Sequence, residues 1–304
     1  MFAIRQYEFG PADNLRFEEV PDPQPQQDQV LIRVTAAGVH LVDTSIRKGQ
    51  FGNPELPMTP GREVAGVVTR GPEEWIGRRV VAHLGMTNGG YAEQAVANVS
   101  ALHALPDTVS DEAAVAMIGT GRTTVGILNA ANITPEDTVL VLSAAGGIGA
   151  LVVQEARNVG AKVIGVASKS KLQHIKADQQ IDYSELESIK GTTVVFDGVG
   201  GDAGDQALKS LAPGGRTIIY GWASGRSTDT SVETLFRASL TATVALGPGL
   251  MKNGLRPLED EALQGLTTGR FVPLINPPFA LRDAAKAHEA LESRATIGKV
   301  VLKP

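Results

Sequence analysis

Cysteine is absent from the 304 residues, which removes disulfides, thiolate nucleophiles and every metal site that relies on sulfur ligands. Neither sign of charge dominates: 28 basic against 33 acidic side chains leave a net charge of −5, which argues against a nucleic-acid footprint or an anionic membrane surface. No apolar run approaches the roughly 20 residues needed to cross a bilayer. The opening MFAIRQYEFG lacks the basic, apolar, small-residue order of a signal peptide. A cytoplasmic address and small-molecule partners are therefore expected.

A chain of this length predicts two domains with ample apolar surface to bury. Short strands broken by Gly and Pro fill the first hundred residues, at 30–36, 65–69, 79–82 and 91–96, and suggest a β-rich domain. The Pro-rich stretch 21–27 is expected to run extended over the surface. From about Ser110 the texture turns to Ala-rich helices. Beyond Thr138, strands at 138–143, 162–167, 193–196, 216–220 and 242–246 alternate with helices at 148–159, 172–177 and 205–211. Such alternation predicts right-handed βαβ units and a doubly wound parallel sheet of about six strands. Helices at 258–268 and 281–291 and a strand at 298–302 close the chain.

Ala144, Ala145, Gly146, Gly147, Ile148 and Gly149 follow an apolar strand and open a helix. This is the context of a dinucleotide-binding fingerprint whose first glycine is Ala144. Gly146 would let backbone approach a pyrophosphate, Gly149 would let the helix pack close to the sheet, and the helix start offers free N–H donors. A tight turn alone would also account for the glycines. About 20 residues on, where an Asp or Glu would bind the ribose of NAD, stand Ala167, Ser168 and Lys169. Ser168, Lys169 and Lys171 could donate to a 2′-phosphate, so NADPH is the expected cofactor; solvated surface lysines are the plainer alternative.

The segments AAGVHLVDTSIRKGQF (36–51), PGREVAGVV (60–68), GGYAEQAV (89–96), VLVLSAAGGIGALVVQEARNVGAKVIGVAS (139–168) and AHEALESRATIGKVVL (287–302) resemble the medium-chain dehydrogenase/reductase superfamily. Within it, they are most similar to the zinc-free quinone oxidoreductase, or zeta-crystallin-like, branch. The resemblance implies an α/β protein in which a GroES-like β-rich catalytic domain (1–117 and 249–304) carries a doubly wound Rossmann domain (118–248) as an insertion. Where zinc-dependent relatives have a Cys after AAGV and a GHE triplet, this chain has 39–43 and Gly61, Arg62, Glu63. No metal is expected, and Arg62 with Glu63 is expected to form an ion pair.

Position by position, the resemblance makes Thr123 a nicotinamide contact, although a helical Thr can also bond its own backbone. Tyr183 would lie near the adenine and 2′-phosphate, and Lys299 would reach the cofactor cleft. DGVGG at 197–201, with Val199 at its centre, and the turn at 220–225 with Gly221 and Trp222 would border the cofactor, where plain turn chemistry is the alternative.

For the reaction, His40, Asp43 and Arg47 are the candidates to donate a proton or position substrate. His40 stands at a position usually Asn in quinone oxidoreductases. Phe51 and Ser45 replace frequent family tyrosines, and Phe51 has no hydroxyl to donate. The expected activity is NADPH-dependent hydride transfer to a quinone or related conjugated carbonyl. Alkenal or enone (enoyl) reduction and a catalytically idle NADPH-binding protein are the alternatives. A homodimer is expected by resemblance and because an apolar last strand near 241–246 would leave an open sheet edge.

Overall fold

The computed structural model describes residues 1–52, 54–252 and 254–304. In chain order, a first stretch carries β1 (Phe2–Gln6), β2 (Leu15–Glu19), β3 (Gln29–Val39), α1 (Leu41–Arg47), β4 (Glu63–Arg70), β5 (Arg79–His83), β6 (Gln94–Asn98), β7 (Leu102–Ala104) and α2 (Asp111–Ala116). The middle holds α3 (Arg122–Ala131), β8 (Thr138–Leu142), α4 (Gly147–Val159), β9 (Lys162–Ala167), β10 (Gln179–Asp182), β11 (Thr192–Asp197), α5 (Gly201–Lys209), β12 (Leu211–Ile219), α6 (Val232–Phe236), β13 (Thr241–Val244), α7 (Pro248–Met251) and α8 (Arg256–Thr268). The end adds β14 (Phe279–Ala280), α9 (Ala284–Glu292) and β15 (Val300–Lys303).

The chain folds as two units, 1–119 with 275–304 and 120–274. In the first, β14-β15-β3-β4-β5-β7 form one sheet, with β6 also on β3. Alternation along β3 to β5 buries Ile32, Val34, Val64, Val68, Val80 and Ala82 in one apolar core together with Leu281, Val300 and Leu302 from the far end of the chain. The terminal strand pairs antiparallel with β3, Val300 opposite Val39 and Val301 opposite Gly38.

In the second unit, parallel strands follow the order β10-β9-β8-β11-β12-β13, so the order reverses at β8, where the chain crosses from one half of the sheet to the other. The central strand β8 is almost wholly buried, as a strand covered on both faces must be. Leu140, Leu142, Ile164, Val166 and Val195 pack into a second core.

Three expectations need correction. The second domain boundary lies near Ile275 rather than at 249, because α8 packs on α3. Arg122 on α3 donates to Glu259 on α8 at 2.6 Å, and Arg270, just after α8, donates to Glu155 on α4 at 2.7 and 3.0 Å. The segment predicted as a helix at 172–177 is a 3₁₀ turn, Lys169–His174. The strand predicted from Tyr91 starts at Gln94, since Tyr91 is spent in a loop where its N–H meets the Pro60 carbonyl.

Candidate active site

Within the second unit, the loops at the carboxyl ends of β8, β9, β11 and β12 all open on one edge of the sheet, where ligands of doubly wound folds bind. After β8, Ser143 turns into the left-handed region at φ 53°, and the Gly146 N–H closes the turn on the Ser143 carbonyl at 2.8 Å. Helix α4 then starts with Gly146 as its N-cap, and no side chain caps it. The first-turn N–H groups are thus left for an anion from outside. A Cβ at Gly149 would lie 2.3 Å from the Ser143 oxygen, so helix and loop touch backbone to backbone. Gly146, Gly147 and Ile148 are half-buried, and Ala144 is buried, its methyl facing the glycine at position 165.

The Tyr183 hydroxyl accepts the Ser143 N–H at 3.1 Å, fastening the ring to this loop. Ser168 and Lys169 are exposed and Lys171 half-buried, and Ser168 begins its 3₁₀ turn without a side-chain cap bond. One neighbour was not foreseen. Asp182, opposite Ala167 in the β9–β10 ladder, accepts the Ser184 N–H at 3.0 Å. Backbone hydrogen bonds, from Ser184 first and also from Lys169, hold its carboxyl below the ordinary value. Its sequence separation from Ser168 hid it.

Buried Asp197 organises the next loop. Its Oδ1 accepts the N–H groups of Val199 and Gly200, each at 2.8 Å, and its Oδ2 accepts the Thr228 hydroxyl. The Val199 N–H is therefore committed to the protein. The turn at 220–225 is laced to this loop by Ala223 N–H to the Gly198 carbonyl and Ser224 N–H to that of Val199. Gly221 is half-buried and Trp222 stands 60 % exposed. Thr123 is half-buried on the first turn of α3, directly after the π-helical turn Met117–Gly121, a feature frequent at functional sites. The hydroxyl that turns back onto the helix is that of Thr124, which donates to the Thr120 carbonyl.

In the first unit, ionisable groups gather at the end of β3. Lys299 Nζ lies 2.7 Å from Glu63 Oε2 and 2.6 Å from His40 Nε2, and the same His40 nitrogen is 2.6 Å from Glu63 Oε1. Glu63 and Lys299 are buried, whereas the His40 side chain keeps 21 % of its surface. Burial pushes the Glu63 carboxyl up, but His40 and Lys299 together outweigh it and hold it well below the carboxylate range. Burial draws the Lys299 ammonium down, and Glu63 offsets only part of this.

The expected Arg62–Glu63 pair does not form. Neighbouring residues at a strand start point to opposite faces, so Arg62 donates to Asp43 at 3.3 Å, while Glu63 turns to Lys299. Asp43 Oδ2 also accepts the Tyr91 hydroxyl at 3.1 Å and the His40 backbone N–H at 2.8 Å. Arg47 is 1 % exposed and donates to the Gly10 carbonyl at 3.0 Å and to Glu292 at 2.8 Å, away from the His40 cluster. Phe51 is half exposed.

A glycine turn opening a helix at the switch point of a parallel six-stranded sheet, joined to a β-rich unit with its own ionic cluster, defines a two-domain dinucleotide-binding dehydrogenase or reductase. Residues 26–107 match the alcohol dehydrogenase GroES-like domain, and 175–302 match the zinc-binding dehydrogenase family. A quinone oxidoreductase of Salmonella typhimurium is 34 % identical over 99 % of this chain and 99 % of its own. The structure of Escherichia coli quinone oxidoreductase complexed with NADPH superposes with a TM-score of 0.87 at 29 % identity, covering 100 % of both chains. An acryloyl-coenzyme A reductase of Sulfurisphaera tokodaii is 29 % identical over 97 % of this chain and 98 % of its own. The chain belongs to the quinone oxidoreductase branch of the medium-chain dehydrogenases and reductases.

The zinc in the second family's description does not fit these residues. At the GHE position Arg62 brings a cation, and the adjacent Glu63 carboxylate is already taken by an ammonium at 2.7 Å. Among the described residues no three His, Asp or Glu side chains form a group that could hold a metal, and no helix is long and apolar enough to cross a membrane.

Proposed function

We propose that this chain is an NADPH-dependent oxidoreductase that passes a hydride to a quinone or a related conjugated carbonyl without a metal. The observation that carries the reading is the uncapped start of α4 behind the Ser143–Gly149 turn, in a chain whose relatives include a quinone oxidoreductase complexed with NADPH. The pyrophosphate would lie on the N–H groups from Gly146 to Gly149, with Ala144 beneath them. Tyr183, Ser168, Lys169 and Lys171 would take the adenosine end. Thr123, Val199, Gly221 and Trp222 would border the nicotinamide, Val199 through its side chain because its N–H is committed to Asp197.

When bound, NADPH supplies the hydride, and the protein supplies orientation, worth on the order of 7–11 kcal/mol in favourable cases. His40, partly exposed on a buried ionic base, is the proton donor. Asp43 and Arg47 act as structural ions, since both are buried and ion-paired with other protein groups, Asp43 with Arg62 and Arg47 with Glu292. Among the described residues of the second unit, β13 is paired on one side only, and its Val244 is 70 % exposed. This edge supports the homodimer.

The test is NADPH oxidation by the purified chain against a panel of quinones and enones, with NADH as competitor. Quinone-dependent turnover with tighter binding of NADPH than of NADH is expected. A second reading, enone or enoyl-thioester reduction, is favoured by the acryloyl-coenzyme A reductase among the relatives and would appear as turnover of enones alone. NADPH binding without turnover of either class would mark an idle binder.

A further inference from the structure

The serine and lysines that follow β9 share their place with a carboxylate from the next strand. β9 ends at Ala167 and β10 at Asp182, and the parallel ladder pairs these two last residues with each other. The Asp182 carboxyl reaches back across the ladder to accept the Lys169 backbone N–H. That bond sets it beside Ser168, where the sequence of a dinucleotide fold that binds NAD carries its own Asp or Glu. The acid missing from the end of β9 is thus delivered there by β10.

Its position is fixed by the backbone around it. Asp182 is the N-cap of the 3₁₀ turn Tyr183–Ser188, and its side chain accepts the Glu185 backbone N–H while Glu185 Oε2 accepts the Asp182 N–H at 2.9 Å. Oδ1 also accepts the Ser184 N–H at 3.0 Å. With the N–H groups of Lys169, Ser184 and Glu185 all on one carboxylate, little acceptor capacity is left for a ribose hydroxyl. Asp182 therefore acts on an adenosine end through its charge. Lys169 is exposed and Lys171 half-buried, and a 2′-phosphate drawn to them, carrying up to about two negative charges, would sit close to a carboxylate that cannot swing away.

Resting on the proposed placement of the adenosine end, we infer that Asp182 is a specificity-determining residue, whose charge opposes the 2′-phosphate beside Ser168, Lys169 and Lys171. It holds the preference for NADPH over NADH below what the two lysines alone would give. NADH, with a hydroxyl in place of that phosphate, meets no such opposition. Between groups a few ångströms apart at a protein surface, removing one charge should tighten the phosphorylated ligand by about fivefold or more at low salt, and less where salt screens the pair.

The test compares the unaltered protein with Asp182→Asn and Asp182→Ser, since Asn and Ser rank with Asp as N-caps and keep the start of the turn. Dissociation constants for NADPH and NADH, and for the fragments 2′,5′-ADP and 5′-AMP, are measured by titration at low salt and at about 0.5 M salt. Both variants should bind NADPH and 2′,5′-ADP about fivefold or more tightly at low salt, with NADH and 5′-AMP unchanged within about twofold and the gain reduced at high salt. Unchanged NADPH affinity in both variants overturns the inference. So does an equal change for both cofactors, including a weakening of both, which would make Asp182 a cap of its turn and nothing more. None of these measurements needs turnover, so a chain that binds NADPH but reduces neither quinone nor enone would refute the reductase reading and leave this inference to be decided by binding alone.

Discussion

Acidification from pH 7.5 to 5.0 is expected to destabilise the first unit by about 2 kcal/mol through one side chain, His288. Its ring is fully buried on α9. Nε2 lies 3.2 Å from the Tyr91 hydroxyl, which donates onward to Asp43, so Nε2 must carry the hydrogen and Nδ1 is left buried with no partner. A second proton would have to sit on Nδ1 with nothing to receive it. Burial, aided by the Arg47 charge and only partly opposed by Asp43, lowers its pKa from 6.5 to about 4. The sign follows from linkage: the unfolded chain takes up the proton first, so stability is full above pH 6.5 and falls as pH drops toward 4. At 1.36 kcal/mol per pKa unit the whole loss is about 3 kcal/mol, of which about 2 is incurred by pH 5.

The two tryptophans, Trp75 and Trp222, lie in different units. In a Trp222→Phe background, fluorescence during urea unfolding therefore follows the first unit alone, which matters because a two-unit chain need not unfold in one step. His288→Gln, which keeps a donor toward Tyr91 but cannot titrate, should lose about 2 kcal/mol less than its parent between the two pH values. Equal losses would refute the assignment of a buried neutral imidazole.

Gly149→Val should weaken NADPH binding by at least about tenfold in fluorescence titration and lower the unfolding temperature, because its Cβ would meet the Ser143 oxygen at 2.3 Å; unchanged affinity would remove the turn from the phosphate site. Val244→Lys on the open edge of β13 should convert a dimer to a monomer in sedimentation at micromolar concentration, and a chain already monomeric would dispose of the edge-pairing reading.

Periodicity located β9 to the residue and α4 to within one residue, because apolar alternation and a glycine stop are local signals. It located no strand at Gln179–Asp182, where QQID is a polar edge strand recognisable only by the β9 it pairs with. The Gly146–Gly149 turn was legible for the same local reason. The His40 cluster was not: its members come from positions 40, 63 and 299, and only the register of β3 with β4 and β15 brings them together. Arg62 and Glu63 looked like partners because they adjoin in sequence, and the alternation of a strand separates them.

Pairing β15 with β3 has a consequence for synthesis. A ribosome making this chain releases the whole of 120–274 before the strand that completes the first sheet exists. The second unit can fold as a unit while β3 waits with an open edge. Until residues 299–303 emerge, Glu63 lacks the Lys299 ammonium and the apolar surface awaiting Val300 and Leu302 stays uncovered. A chain stopped a few residues early would carry an intact nucleotide fold and an unfinished, aggregation-prone partner.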